Sequence, residues 1–276
     1  MLIHVLYSQK TYVTGRALVK ELHTVMNILR LGTVRGVQIR GGQGITTTPD
    51  LLIRWGNSEH IGYTPRLEFN PAEALRKTSN KVTMVKAFRA HGTPSPRIWT
   101  HDEFRYINWP VIVRTFNHFK GKGFYEVSNH LQLMGYANPQ HYACEIIDVQ
   151  EEFRVFVFDG KVMEINKKMQ EGIVAHQRNA KIRNHENGWI NRRGGFDIPE
   201  GVRSVAKSAA EAVGLTFGAC DVYIDAHGRA GVFEINSAPG LAYRKLRKLA
   251  LKIVSKYYGP ISEEQYEQAM AGLVND

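Results

Sequence analysis

The segment "VFEINSAPG", residues 232–240, places the carboxylate of Glu234 and the carboxamide of Asn236 two positions apart, just before a turn. In a strand, residues two apart point to the same face. If a four-residue loop, Ala226–Arg229, joins this strand to the preceding "CDVYID" as a hairpin, Asp221 lies opposite Glu234 and diagonal to Asn236. Opposed carboxylates repel each other unless a cation lies between them, and Mg²⁺ prefers such oxygen ligands. The pattern predicts a magnesium site that presents a nucleotide.

The same alignment sets Asp225 opposite Ala230 and Tyr223 opposite Val232. The alternative interpretation is a hairpin face exposed to solvent, where acidic residues are ordinary. The hairpin alone leaves both interpretations open.

A second candidate element supplies positive charge. In "PVIVRTFNHFKGKGFYEV" an apolar strand ends at Arg114, and a polar glycine-containing loop follows. Glycines let backbone amides approach an anion closely, and lysines add point charges. The loop is therefore predicted to cover phosphates, although most glycine turns are only turns; its candidate residues are Lys120, Gly121, Lys122 and Gly123.

The surrounding pattern predicts an α/β protein. Apolar strand patterns cover 2–7, 50–56, 109–116 and 141–147, and a hairpin covers 151–169 with Asp159-Gly160 at its turn. Helical patterns cover 15–32, 79–92 with Ser79 as N-cap, 199–214 and the basic 243–258. Arg154 faces away from Phe153 and Val155 in the hairpin, where solvation is the alternative to a functional role. The stretch 171–196 is predicted to be a long functional loop.

Composition limits the classes of protein further. The chain has 276 residues, 43% of them hydrophobic, and a net charge of +10 from 36 Lys and Arg against 26 Asp and Glu. This balance fits an anionic partner or simply a soluble surface of one sign. No apolar run approaches the roughly 18 residues of a membrane span, and the first residues predict a strand rather than a signal peptide. With two cysteines, Cys144 and Cys220, a reducing cytoplasmic location is expected.

Taken in chain order, these motifs resemble the ATP-grasp superfamily of carboxylate–amine ligases, closest to the branch of ribosomal-protein glutamate ligases and lysine-biosynthesis ligases. The resemblance covers about residues 70–245. It implies an N-terminal α/β pre-grasp domain, 1–75, and an ATP-grasp domain, 76–276, whose two antiparallel-sheet lobes, about 76–145 and 146–276, clasp ATP. The motifs are "SNKVTMVKAFRAHG", "PVIVRTFNHFKGKGF", "CEII", "EEFRVFVFDGKV", "NRRGG", "CDVYID" and "VFEINSAPG".

The resemblance also implies roles for single residues. Lys81, Arg114 and the flap would bind phosphates, the backbone of Glu145, Ile146 and Ile147 would bind adenine, and Glu152 would hold the ribose. Asp221, Glu234 and Asn236 would hold Mg²⁺ or Mn²⁺, and the polar groups near the transferring phosphate would be Arg154, Asn191 and Arg193. The family usually has lysine at the position of Arg114; arginine keeps the charge and can bind phosphate bidentately.

The activity implied is amide formation through an acyl phosphate, with release of ADP and phosphate. The substrates expected are a carboxylate and an amine: an amino acid, a peptide or protein tail, or a small-molecule pair, with an anionic acceptor favoured by the basic charge. One alternative is an ATP-grasp phosphotransferase. The other is a nucleic-acid-binding module, which is disfavoured because the strands lack interleaved aromatic and basic residues.

Overall fold

The computed structural model describes residues 2–38, 48–116, 124–136, 138–171, 183, 188–241 and 243–271. The chain divides into two compact units that do not follow chain order. The first unit comprises Met1–Arg76, Gly214–Gly218 and Asn236–Asp276, and the second comprises Lys77–Val213 and Ala219–Ile235. The division into domains 1–75 and 76–276 stays a prediction.

The first unit is built on a parallel sheet with strand order β2-β1-β3-β4. Its strands are β1 (Leu2–Tyr7), β2 (Thr33–Gln38), β3 (Leu51–Trp55) and β4 (Leu67–Phe69). β1 and β3 are buried at nearly every position because strands of a parallel sheet are covered on both faces. The predicted opening β-α-β arrangement is confirmed.

Helix α1 (Tyr12–Ile28) follows β1 and packs an apolar stripe, Leu18, Leu22, Val25 and Met26, into the core. The predicted end at Gly32 is wrong. Arg30 adopts a left-handed φ of 54°, and the amide of Leu31 donates to Met26 O at 2.7 Å. This hydrogen bond closes the helix, so a position that usually takes glycine is filled here by arginine.

The first unit also contains α6 (Tyr243–Tyr258) and α7 (Glu263–Met270). The guanidinium of Arg247 on α6 forms a buried ion pair with Glu21 on α1, and it also donates to Ala269 O on α7. The predicted basic helix is thus confirmed, but one of its arginines points into the protein. Along the chain, the first unit ends within α2 (Ala72–Ser79).

In the second unit a four-stranded antiparallel sheet has the order β5-β8-β6-β7. Its elements are β5 (Ile98–Thr100), β6 (Val111–Thr115), β7 (Tyr125–Val127) and β8 (His141–Glu145), with helices α3 (Lys81–Ala90) and α4 (His130–Met134). The N-cap of α3 is Asn80, not Ser79 as predicted, because the Asn80 Oδ1 accepts from the amide of Val82 at 2.8 Å. Strand β8 ends at Glu145, two residues earlier than predicted.

The other sheet of this unit has the order β11-β10-β9-β12-β13. Its strands are β9 (Val149–Phe158), β10 (Lys161–Gln170), β11 (Trp189–Arg193), β12 (Phe217–Asp225) and β13 (Ala230–Asn236), and α5 (Val202–Val213) precedes β12. Asp159 and Gly160 join β9 to β10 with φ of 49° and 69°, as the predicted hairpin turn requires. The predicted start of α5 near Pro199 was three residues early.

Strand β11 corrects the prediction that 171–196 is wholly irregular. Its backbone pairs with the free edge of β10, with Asn191 opposite Lys168. Its sequence, "WINRR", lacks the β-branched run that would have indicated a strand. Among the described residues, no helix is long and apolar enough to cross a membrane.

Asn70 ties together three chain segments of the first unit. It is fully buried with a left-handed φ of 57°. Its Nδ2 donates to Phe217 O at 3.0 Å and Ser237 O at 3.4 Å, and its Oδ1 accepts from Phe217 N at 3.0 Å. Phe217 begins β12 and Ser237 follows β13, so Asn70 holds the ends of both strands that carry the predicted metal ligands.

We therefore expect Asn70→Ala to lower the free energy of unfolding by about 3 kcal/mol, because it leaves buried peptide groups unpaired and places alanine at a left-handed φ. Urea unfolding followed by circular dichroism measures this. The exposed Asn108→Ala variant is the matched control and should change stability by less than about 0.5 kcal/mol. Equal stability of the two variants would contradict the role given to Asn70.

Candidate functional site

One face of the β11-β10-β9 part of the five-stranded sheet carries most of the predicted polar residues. The register sets Asn166 on β10 opposite both Arg154 on β9 and Arg193 on β11. Because alternate residues point to the same side, the polar side chains on this face are Glu152, Arg154, Glu164, Asn166, Lys168, Asn191 and Arg193. We call this surface the polar face. It unites Glu152, Arg154, Asn191 and Arg193, which the sequence analysis had placed near ATP.

Four charged groups meet on the polar face and at the neighbouring strand β12. Arg154 Nη1 donates to both carboxylate oxygens of Asp221, at 2.9 and 3.1 Å. Lys168 Nζ forms an ion pair with Glu152 and lies 3.7 Å from Asp221 Oδ2. The carboxylate side chains are only 6% exposed in Glu152 and 9% exposed in Asp221. We call these four residues the charge network.

Burial and charge oppose each other in this network. Burial raises the pKa of Glu152, and Lys168 lowers it only in part. Burial by itself would lower the pKa of Lys168, but Asp221 and Glu152 outweigh it and hold this pKa above its ordinary value. Lys168 is therefore a fixed cation at neutral pH. The pKa of Arg154 is also raised, because the pull of Asp221 and Glu234 exceeds the effect of burial.

Lys168 was missed in the sequence, together with Asn166 and Glu164. All three lie on β10 at alternating positions, within "MEINKKM". A period of two in polar residues along a predicted strand was the available signal, since it marks one polar face. Glu164 accepts from Arg193 Nε at 2.9 Å, so it orients one of the predicted catalytic arginines.

Asp221 and Glu234 both act on the Arg154 guanidinium, so they belong to one electrostatic site. The pairing that led to this prediction is nevertheless wrong at the turn. Asp225 N donates to Arg229 O at 3.0 Å, so Asp225 pairs with Arg229 instead of Ala230. Gly228, with a φ of 75°, tightens the turn by one residue. Tyr223 packs its ring against Phe233, with centroids 4.5 Å apart, instead of facing Val232.

Lys81, the first residue of α3, lies beside β13. Its Nζ donates to Phe233 O and is 3.6 Å from Glu234 Oε2. The predicted ligand Asn236 is the last residue of β13. Within the described ranges, no three His, Cys, Asp or Glu side chains gather to hold a metal; the predicted set contains two carboxylates and one amide.

Arg114 lies on β6, opposite Tyr142 on β8. Its Nε is buried and has no hydrogen-bond partner among the residues that the structure describes. A buried donor without a partner is costly, and an anionic ligand would satisfy it. The predicted flap residues Lys120, Gly121, Lys122 and Gly123 lie outside the described residues.

The predicted adenine-binding segment follows β8. Glu145 N donates to Arg97 O, and the Glu145 carboxylate accepts from Arg97 N, both at 2.9 Å. These contacts fix the end of the strand. Ile146 and Ile147 then continue outside any helix or strand, half-buried, and their peptide groups bond to no other described residue. Their backbone is available to a ligand.

In the predicted loop after β10, Arg183 Nη2 donates to Val149 O at 2.6 Å and the guanidinium stacks 4.7 Å from the Trp189 ring centre. Asn191 and Arg192 are exposed on β11. Of the arginines expected to face an anion, Arg193 lies on the polar face, whereas Arg192 alternates to the other side of the sheet.

A family model matches residues 97–252, more than half of the chain; it describes an ATP-grasp domain, the second family of one clade within that superfamily. No curated protein matches the sequence. Solved structures match over nearly the whole chain at low identity. D-alanine–D-alanine ligase from Bacillus anthracis has a TM-score of 0.62 at 16% identity, covering 98% of this chain and 96% of that one.

Two further structures have the same fold. The ATP-grasp ligase PsnB, complexed with a minimal precursor, has a TM-score of 0.62 at 14% identity, covering 92% of this chain and 98% of that one. A RimK domain ATP-grasp protein from Sphaerobacter thermophilus has a TM-score of 0.61 at 14% identity, covering 91% and 98%. At these identities the likeness establishes the fold, and it confirms the α/β architecture with antiparallel sheets.

The charge network predicts a change in the pH dependence of stability. Lys168→Met removes the cation that lowers the pKa of Glu152, so this pKa rises further above its ordinary value of 4.5. The folded protein then retains a proton that the unfolded chain releases, and stability falls as pH rises above about 4.5, by up to roughly 1.4 kcal/mol per pH unit. Urea unfolding from pH 5 to 8 tests this.

The double variant Glu152→Gln, Lys168→Met is the control, because it removes the titrating group. It should lose most of the additional slope that Lys168→Met creates. An identical pH profile in the single and double variants would show that Lys168 does not act on Glu152.

Proposed function

Because the chain belongs to this ATP-grasp family, we propose that it is an ATP-dependent ligase that joins a carboxylate to an amine through an acyl phosphate. The observation that carries this proposal is the charge network: two fixed cations and two carboxylates, largely buried, on a polar sheet face. Such buried charges stabilise a fold poorly compared with apolar packing, which supports a functional reason for their presence.

In this proposal the nucleotide lies along the polar face. Glu152 accepts from the ribose hydroxyls, and the free peptide groups of Ile146 and Ile147, next to Glu145, bind the adenine edge. Lys81 and Arg114 bind phosphate oxygens, together with the flap residues 120–123. The unpartnered Nε of Arg114 supports this role, and its charge can replace the lysine usual in the family.

The residues at β12 and β13 suit a divalent cation. Asp221 and Glu234 act on the same guanidinium, and Asn236 follows Glu234 by two residues on β13. These are hard oxygen donors of the kind that Mg²⁺ or Mn²⁺ prefers. Bound there, the metal would offset negative charge on the phosphates. Arg154 and Lys168, which neutralise Asp221 in this structure, would then be free to turn toward the anionic substrate.

The reaction brings together two groups that repel in water, a substrate carboxylate and the γ-phosphate of ATP. Arg154, Lys168 and Arg193 reduce this repulsion by positive charge held in place before the reaction. The carboxylate oxygen attacks the γ-phosphorus, the bond to ADP breaks, and the acyl phosphate forms. The amine then attacks the acyl carbon, phosphate leaves, and the amine loses a proton to give the amide. Asn191 donates to the phosphate oxygens.

The substrate pair is proposed by class: an amino acid and a peptide or protein tail. D-alanine–D-alanine ligase, which acts on an amino acid by its name, and the PsnB ligase, which has been seen in complex with a precursor, share this fold and support the choice. The basic charge favours an acidic acceptor.

Changing Glu234 to alanine should leave the protein folded and reduce magnesium-dependent ATP turnover at least about 100-fold, the effect of roughly 2.7 kcal/mol on the barrier. The fold should survive because this side chain is 42% exposed and Lys81 keeps its bond to Phe233 O. Phosphate release measures turnover, and the exposed Glu211→Ala on α5 is the control. A folded Glu234→Ala protein with normal turnover would remove Glu234 from the site.

The products distinguish the reaction from its alternatives. With both substrates present, ADP, phosphate and amide should form in equal amounts, and hydroxylamine in place of the amine should trap the acyl phosphate as a hydroxamate. Mass spectrometry of products from an amino-acid panel identifies the added group. A stable phosphorylated product would favour the phosphotransferase, and AMP with pyrophosphate would indicate an adenylating enzyme.

A further inference from the structure

The reverse side of the five-stranded sheet contains a cavity of about 330 Å³. It lies between residues of β9 and β10 and the segment that follows β11, and its lining consists of Glu151, Lys167, Met169, Gly195, Phe196, Asp197, Ile198 and Pro199. Glu151 and Lys167 immediately precede Glu152 and Lys168, so they point away from the polar face. The cavity is therefore separate from the proposed ATP site.

The fold builds this cavity through a reversal after β11. Gly194 and Gly195 have φ of 62° and 70°, a conformation that other residues rarely adopt. The chain then crosses the reverse face, and the ring of Phe196 packs against Phe153 with centroids 6.0 Å apart. The segment is anchored by this contact, so it forms a wall over the sheet.

The lining combines three charges with apolar surface. Lys167 Nζ forms an ion pair with Glu151 and lies 5.8 Å from the Phe153 ring centre. The exposed carboxylate of Asp197 pairs with no described residue. The remaining wall is made by Met169, Phe196, Ile198 and Pro199, and Ile198 is 36% exposed although it is apolar.

One cation and two carboxylates beside apolar surface complement a zwitterion that carries an apolar side chain. The ligand's carboxylate would meet Lys167, its ammonium would lie between Glu151 and Asp197, and its side chain would cover Phe196 and Ile198. The existing ion pair is partly exposed, at 23% and 30%, and an exposed pair of this kind is held only weakly, so it can exchange partners. The volume is at the lower end of small-ligand sites, which begin near about 300 Å³.

We propose that this cavity is a binding site for a free α-amino acid with an apolar side chain. The site goes beyond the proposed ligase function, since it lies on the other side of the sheet and binds without ATP.

The test is isothermal titration of the full chain with L-leucine in the absence of nucleotide. Two analogues isolate the charges: 4-methylpentanoate lacks the ammonium group and 3-methylbutylamine lacks the carboxylate. L-leucine should bind saturably, and each analogue should bind at least about tenfold more weakly, as the loss of one ion pair implies. The Asp197→Asn and Lys167→Met variants should each weaken leucine binding by a similar factor.

Lys207→Met, an exposed lysine on α5, is the matched control and should bind like the parent. Circular dichroism verifies that each variant is folded. No saturable binding of leucine at millimolar concentrations, or binding that survives both Asp197→Asn and Lys167→Met, would overturn the proposal. The Glu234→Ala variant should keep leucine binding, so failure of the ligase proposal and failure of this one are distinguishable.

Discussion

Mutual neutralisation of four buried charges is the constraint on which the polar face depends. A carboxylate or ammonium group moved from water into a protein interior carries a penalty of several kcal/mol, and Glu152 and Asp221 are both nearly inaccessible. The penalty is offset only because Arg154 and Lys168 reach them from adjacent strands. The sheet supplies this geometry: its register, rather than any one side chain, puts the opposite charges within hydrogen-bond distance.

The same alternation gives the sheet two chemically different sides. On β9, Glu152 and Arg154 point to the polar face, while Phe153 and Val155 are fully buried on the other side, toward α5. Each strand therefore serves core and site at once. A shift of one residue in register would bury the charges in the core and expose the aromatic residues, so packing of Phe153 and Val155 helps to fix the position of the site.

Much of this arrangement could be predicted from the sequence. The hairpin of β9 and β10 was readable because Asp159-Gly160 is a strong turn signal, and the parallel strand β1 because nearly all its residues are apolar. The ordered motifs predicted the ATP-grasp family, and the family model confirms it. Four residues assigned by these motifs, Glu152, Arg154, Asn191 and Arg193, share one face.

Other features depend on tertiary contacts that no local pattern encodes. The end of α1 was missed because Arg30 fills a left-handed position where glycine was expected. The strand β11 was missed because pairing with β10 overrides its weak propensity. The pairing of β12 with β13 was one residue off at the turn, which closes at Gly228. Lys168 was missed because its importance comes from two carboxylates on other strands, Glu152 being 16 residues away and Asp221 53 residues away along the chain.

The central claim is that Mg²⁺-ATP binds on the polar face, with its metal at β12 and β13. The most direct test is a crystal structure with a non-hydrolysable ATP analogue and Mn²⁺, with anomalous scattering measured at the manganese edge. We expect an anomalous peak about 2.2 Å from carboxylate oxygens of both Asp221 and Glu234, with the phosphates between this peak and Arg114. A nucleotide bound elsewhere, or manganese away from both carboxylates, would contradict the account.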